Sequence, residues 1–235
     1  MRALLVCPVI LMAALSLSST QAAVGELNIL TRNEWGAQKA REKRDPPIKT
    51  GKVEDKTVKA ENVMTPRAAA LYLTVHHRGV KGDPNVPIEK KLSRFQEFSW
   101  GPDYMIGNTQ IFLGDIPYHY FISYQGQVAE GRELKWSAWS NTNYVIPEGE
   151  TPEVAITKHV TVVLEGDLQQ EQPTPEQLAS LEELLYQLAI KHRIRRANIL
   201  YHAKVVAPGK TICPGANMIK KMPVVIAALQ ERGLQ

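Results

Sequence analysis

The chain has 235 residues, with 28 Lys and Arg against 24 Asp and Glu, a formal charge of +4 and a pI near 9.0. Hydrophobic residues make up 44% of it, which excludes a disordered chain and suits one domain with its own core. The mild basic excess fits contact with an anionic polymer, but no stripe of Lys and Arg with interleaved aromatics runs along the chain, so a nucleic-acid partner is not expected.

Arg2 precedes an uncharged apolar run, Ala3 to Leu17, and a small polar stretch that includes Thr20-Gln21-Ala22. This pattern predicts a cleaved export signal over residues 1–22. The apolar run is shorter than the roughly 20 residues of a membrane span. No membrane anchor is therefore expected in the mature chain, which is exported to the periplasm or secreted. Residues 23–235 are expected to form a single domain. Within it, 36–67 is rich in Lys, Arg, Asp, Glu and Pro, and predicts a surface-running arm with turns.

Ala70 to His76 is a β-rich run and predicts a central strand. Ile88 to Phe98 places Leu92, Phe95 and Phe98 on one side of a short amphipathic helix. Tyr118 to Ile122 and Val128 to Glu130 flank a glycine turn at Gly126 and read as a hairpin. His159 to Leu164 is a further buried strand. Thr174-Pro175 with Gln177 forms a capping box with Pro at the first helical position. The stripe Leu178, Leu181, Leu184, Leu185 and Leu188 follows with helical period and belongs to the core. Ile199 to Tyr201 is a short strand. Asn217 to Arg232 is a last helix, with a kink or break expected at Pro223 and a stop at Gly233. Strands interleaved with helices predict an α/β fold, with one mixed central β-sheet flanked by helices.

The chemistry-bearing residues lie at the ends of these strands. Once the export signal is removed, Cys213 is the only cysteine, so an internal disulfide is not possible. It is either an inert buried thiol or a metal ligand. Zinc in a catalytic site takes three protein ligands and leaves a fourth position open. Residues alternate faces along a strand, so only one of His76 and His77 can join His202 and Cys213 at one ion. His202 ends a strand, and Pro208-Gly209 would turn the following loop back so that Cys213 returns toward it.

Five segments then resemble one known family in its order. Leu30-Thr31-Arg32-Asn33-Glu34-Trp35-Gly36-Ala37 resembles the opening "S/T-R-x-x-W-G-A" of peptidoglycan recognition proteins, which belong with the zinc amidases of the N-acetylmuramoyl-L-alanine amidase type 2 family. Thr74-Val75-His76-His77, Asp115 to Ile122 and Gly126 to Arg132 continue the resemblance. It ends at His202 with Thr211-Ile212-Cys213-Pro214-Gly215, and it spans roughly residues 28–232.

The resemblance implies the fold of that family. It also implies zinc held by His76, His202 and Cys213, and a peptidoglycan or muropeptide substrate. The expected reaction is hydrolysis of the amide between N-acetylmuramic acid and L-alanine; the alternative is a non-catalytic muropeptide-binding module, whose members typically lose the cysteine. Tyr118 matches a tyrosine beside the attacking water. Thr211 matches a position held by lysine or threonine that donates to the substrate carbonyl, with Lys210 adjacent.

The chain also departs from the pattern. Val163 stands where related bacterial amidases carry a glutamate; Glu165, two residues on and on the same face, either approaches the metal pocket or, as the usual exposure of Glu favours, is a solvated strand end. Arg78-Gly79 follows the His-His pair where a threonine is common. The stretch Lys135 to Ile156, with Trp136, Trp139, Asn141, Asn143 and Tyr144, either lines a groove or packs as a loop. His119, His159 and His192 are expected to be structural or on the surface.

Overall fold

The computed structural model describes residues 27–41, 51–53, 56–62, 64–100, 104–106, 109–140 and 157–235. The predicted export signal and Asn141, Asn143 and Tyr144 lie outside the described residues.

Ten strands and four α-helices follow one another as β1 (Ile29–Leu30), β2 (Gly51–Val53), β3 (Lys56–Asn62), β4 (Tyr72–His77), α1 (Ile88–Ser99), β5 (Tyr104–Ile106), β6 (Thr109–Phe112), β7 (Tyr120–Ile122), β8 (Val128–Glu130), β9 (His159–Leu164), α2 (Pro175–His192), β10 (Ile199–Tyr201), α3 (His202–Val205) and α4 (Ala216–Glu231) among the described residues. A six-stranded mixed sheet runs in the order β1-β8-β7-β9-β4-β10. Strands β7, β9, β4 and β10 are mutually parallel, and the β7–β8 hairpin turns the sheet antiparallel at its other end. A second, four-stranded sheet, β2-β3-β6-β5, was not predicted. Its strands β2 and β3 lie in the stretch read as a surface arm. Lys56–Asn62 carries too few apolar groups to announce a strand by alternation.

Two-residue periodicity divides the central sheet. Leu73 and Val75 of β4, with Val160, Val162 and Leu164 of β9, are buried against Leu181, Leu184, Leu185 and Leu188 of α2 and Met218, Met222 and Val225 of α4. On the other face, Phe121 and Val163 pack with Trp35, Ile116, and Ile88, Leu92 and Phe95 of α1. Helices therefore cover both faces, as a largely parallel sheet requires.

The α2 capping box forms as predicted: the Gln177 N–H donates to Thr174 Oγ1 at 3.0 Å, and the Thr174 N–H donates to Gln177 Oε1 at 3.1 Å. Pro223 does not break α4, which runs unbroken through it to Glu231. Packing of the helix's buried stripe, Met218, Met222, Val225 and Leu229, offsets the one lost backbone bond. No helix among the described residues is long and apolar enough to cross a membrane.

Candidate metal centre

Strand parity separates the paired histidines. His76 shares the α1 face with Val163, its register partner on β9. His77 points the other way, and its Nδ1 accepts the Leu168 N–H at 3.0 Å. Burial holds the His77 pKa below the usual histidine range; Asp167, 3.8 Å away, opposes this and His202 adds to it.

His202 begins α3 directly after β10, which lies parallel to β4. The loop beyond it turns as the sequence predicted. The Lys210 N–H donates to the Ala207 carbonyl at 3.1 Å, with Pro208 and left-handed Gly209 (φ +78°) between them, the arrangement of a type II turn. The Ala203 N–H then donates to the Cys213 carbonyl at 2.8 Å, tying the loop back to α3. Gly215 is required at the loop's end: its φ is +89°, and a Cβ there would collide with the Leu168 carbonyl and the Gln169 nitrogen.

These elements bring His76, His202 and Cys213 together, with one potential ligand atom of each within 4.8 Å of the others. The Cys213 Sγ lies 3.5 Å from His76 Nδ1. Zinc–nitrogen and zinc–sulfur bonds of about 2.0–2.1 and 2.3 Å, at a tetrahedral angle, put N and S about 3.6 Å apart. The pair therefore already stands at the separation that one ion spans. The His76 and His202 rings are 4.8 Å apart between centroids. Burial pushes the Cys213 thiol up to about 12, although the His77 backbone N–H bonds the sulfur and opposes the shift. Such a thiol stays protonated at neutral pH unless a cation takes the proton's place. Two imidazoles and one buried thiol form a donor set suited to zinc.

Tyr118 stands edge-on to His76, with ring centroids 5.1 Å apart. A buried polar network holds its backbone. Arg132, 1% exposed, donates through Nε to the Ile116 carbonyl at 2.8 Å and through its other nitrogens to the Leu113, Asp115 and Ser137 carbonyls. The Arg132 N–H donates to the Tyr118 carbonyl at 2.7 Å. Asp115 is bridged by Arg32 at 3.0 Å and accepts from Gln96 at 2.8 Å. The Trp35 indole donates to the Glu130 carbonyl at 2.7 Å. The N-terminal motif thus braces the segment that carries Tyr118. Thr211 sits in the Cys213 loop, and its Oγ1 accepts the Cys213 N–H at 3.1 Å. Lys210 is exposed.

Glu165 corrects the sequence reading. It is not a solvated strand end: it is 4% exposed, bonded by Lys91 Nζ at 2.8 Å and by the Tyr124 N–H at 3.2 Å. Lys91 lies 74 residues earlier in the chain, so no local pattern could reveal the pair. His119 and His159 are both buried, and desolvation holds each down to about 3. The Thr161 N–H donates to His119 Nδ1 at 3.0 Å, which places the His119 proton on Nε2, bonded to the Trp136 carbonyl at 3.0 Å. Thr74 Oγ1 pairs with His159 Nδ1 at 2.6 Å. The Trp136 carbonyl is therefore committed to His119.

Beside these three residues, Arg78 continues the β4 ladder by donating its N–H to the Leu164 carbonyl at 2.9 Å. In the sequence Arg78 stands out only as a departure from the family pattern. Burial lowers its pKa, against the influence of Tyr118 and Glu165.

The sequence matches the family described as N-acetylmuramoyl-L-alanine amidase over residues 66–216. No curated protein matches the chain. Among solved structures, the fold is similar to that of Drosophila PGRP-LB (20% identity, 83% of this chain and 92% of that one, TM-score 0.58). It is also similar to Drosophila peptidoglycan recognition protein SD (19% identity, 84% and 95%, TM-score 0.57). A third similar structure is peptidoglycan recognition protein-LE in complex with tracheal cytotoxin, a monomeric diaminopimelic acid-type peptidoglycan (17% identity, 83% and 92%, TM-score 0.56).

Proposed function

The chain belongs to the N-acetylmuramoyl-L-alanine amidase family, and from that premise we propose that it is a zinc-dependent hydrolase. It cuts the amide between N-acetylmuramic acid and the L-alanine of a peptidoglycan stem peptide. The observation that carries this reading is the convergence of His76, His202 and Cys213, with sulfur and nitrogen at the spacing of one zinc ion's ligands. Cys213 favours catalysis over muropeptide binding alone, because the resemblance implies that non-catalytic members typically lose this cysteine, and here it stands with both histidines. Complex formation between the similar PGRP-LE and tracheal cytotoxin supports a muropeptide or peptidoglycan partner. Residues 23–235 act as one exported domain, in the periplasm or outside the cell.

His76, His202 and Cys213 would hold the metal. Bound zinc supplies Lewis-acid polarisation of the scissile carbonyl and a water of lowered pKa. Tyr118, edge-on to His76, handles a proton and donates to the charge that develops on the carbonyl oxygen. The buried Arg132 and Asp115 fix the Tyr118 backbone, so this donor is held in place before substrate arrives. Thr211 fixes the Cys213 N–H through its oxygen and turns its own hydroxyl proton toward the substrate carbonyl. Glu165 takes no part in proton transfer, because its carboxylate is committed to Lys91 and the Tyr124 N–H.

Cys213→Ser tests the assignment. The variant should fold, bind zinc weakly and fail to release stem peptide from purified sacculi. Full zinc content together with full hydrolysis in this variant would remove Cys213 from the ligand set.

A further inference from the structure

A cavity of about 250 Å³ opens between α1 and the loop of residues 78–86, with buried Phe121 and Glu165 among its lining. Arg78 enters it two residues beyond His76, on the same side of the extended chain. Its guanidinium carbon stands 3.8 Å over the Phe95 ring. Phe95 in turn lies 6.0 Å from the Tyr118 ring, between centroids. The cavity therefore adjoins the candidate metal centre through Phe95 and Tyr118.

Its charges are unevenly committed. Glu165 is bonded to Lys91 at 2.8 Å, and Asp83 accepts the Asn85 N–H at 2.9 Å within its own turn. Lys81 and Arg94, both exposed, add positive charge at the rim. Among the described residues no hydrogen bond or ion pair takes up the guanidinium N–H donors of Arg78; only the Phe95 ring fixes the group. A half-buried guanidinium stacked on an aromatic face is a pre-organised fork for a carboxylate. An extended peptide advances about 3.3–3.6 Å per residue, so the two-residue offset from His76 to Arg78 matches the length of about two residues of an extended peptide.

We propose that Arg78 anchors a carboxylate of the bound peptide about two residues from the scissile amide, making this chain selective for acidic over amidated stem peptides. The proposal rests on the amidase reading and adds to it a peptide chemistry and the residue that reads it.

The test uses two N-acetylmuramoyl tripeptides that differ only in carrying glutamate or glutamine after L-alanine. Dissociation constants and kcat/KM are measured for the zinc-loaded protein, Arg78→Gln, Arg78→Lys and Arg94→Gln, with zinc content and melting temperature as folding controls. The wild type should prefer the glutamate peptide by roughly 10- to 100-fold, the range of a hydrogen bond to a charged group. Arg78→Gln should bring the ratio near one by weakening the acidic peptide alone, and Arg78→Lys should keep part of the preference. A wild-type ratio near one would overturn the proposal. So would an equal loss on both peptides in Arg78→Gln, or loss of the preference in Arg94→Gln instead. Binding that keeps the preference without hydrolysis of either peptide would sustain the Arg78 assignment while removing the amidase reading.

Discussion

Acidification should destabilise this protein well before its carboxylates titrate. His119 and His159 are held near 3 by burial, against an ordinary value of about 6.5 in the unfolded chain. A histidine whose folded pKa is depressed contributes stability above the unfolded pKa. That stability is lost as pH falls from about 6.5 toward 3, because only the unfolded chain takes up the proton. At pH 5 each histidine removes about 2 kcal/mol relative to pH 7.5, and the two together about 4 kcal/mol. Set against a typical total of about 5–15 kcal/mol, that is a large fraction, and it corresponds to a fall of roughly 8–16 °C in melting temperature for a domain of this size. His77 and His192, lowered by burial as well, steepen the same slope. Urea unfolding of zinc-free protein between pH 7.5 and 5 measures the effect without the confounding loss of metal. His159→Gln should flatten the slope by somewhat less than half, since it removes one of the two most strongly lowered rings while Thr74 keeps a polar partner. A flat stability profile over that range, or imidazole resonances of His119 titrating near 6.5, would refute the reasoning.

Tyr118→Phe and Thr211→Ala should each keep zinc and muropeptide binding while lowering turnover by about 10²–10³, the usual loss for one oxyanion donor. Loss of zinc in step with activity would give either residue a different role. Glu165→Gln should lower stability by about 1–3 kcal/mol in chemical unfolding, because it leaves the Lys91 ammonium short of its partner. Its turnover, measured on folded protein at matched zinc content, should stay within a few-fold of wild type. A collapse of that rate with Tyr118→Phe unimpaired would exchange the two assignments.

What the sequence reveals follows from how locally each feature is encoded. The α2 start is written within four residues, Thr174 to Gln177, and forms as read. The strand His159–Leu164 is an unbroken β-branched and apolar run and has the predicted bounds. The return of Cys213 toward His202 follows from Pro208-Gly209. Parity allowed only one of the two histidines at the metal, and the resemblance chose His76, which stands with Cys213 and His202. Features that join distant segments were not legible. Glu165 is buried because Lys91 and the Tyr124 N–H meet it, and neither is near it in sequence. Arg132 gathers the carbonyls of Leu113, Asp115, Ile116 and Ser137, which no periodicity predicts. Arg78 stands in the sequence only as a departure from the family pattern, and its stacking on Phe95 beside the cavity is visible only in the fold.

Removal and restoration of zinc test the central claim most directly. Protein stripped with a chelator and then titrated with zinc is assayed for release of a free L-alanyl amino group from a defined N-acetylmuramoyl peptide. The account predicts no release from the stripped protein and full recovery at about one zinc per chain, the occupancy of a single site with three protein ligands. Undiminished release from fully stripped protein would contradict it.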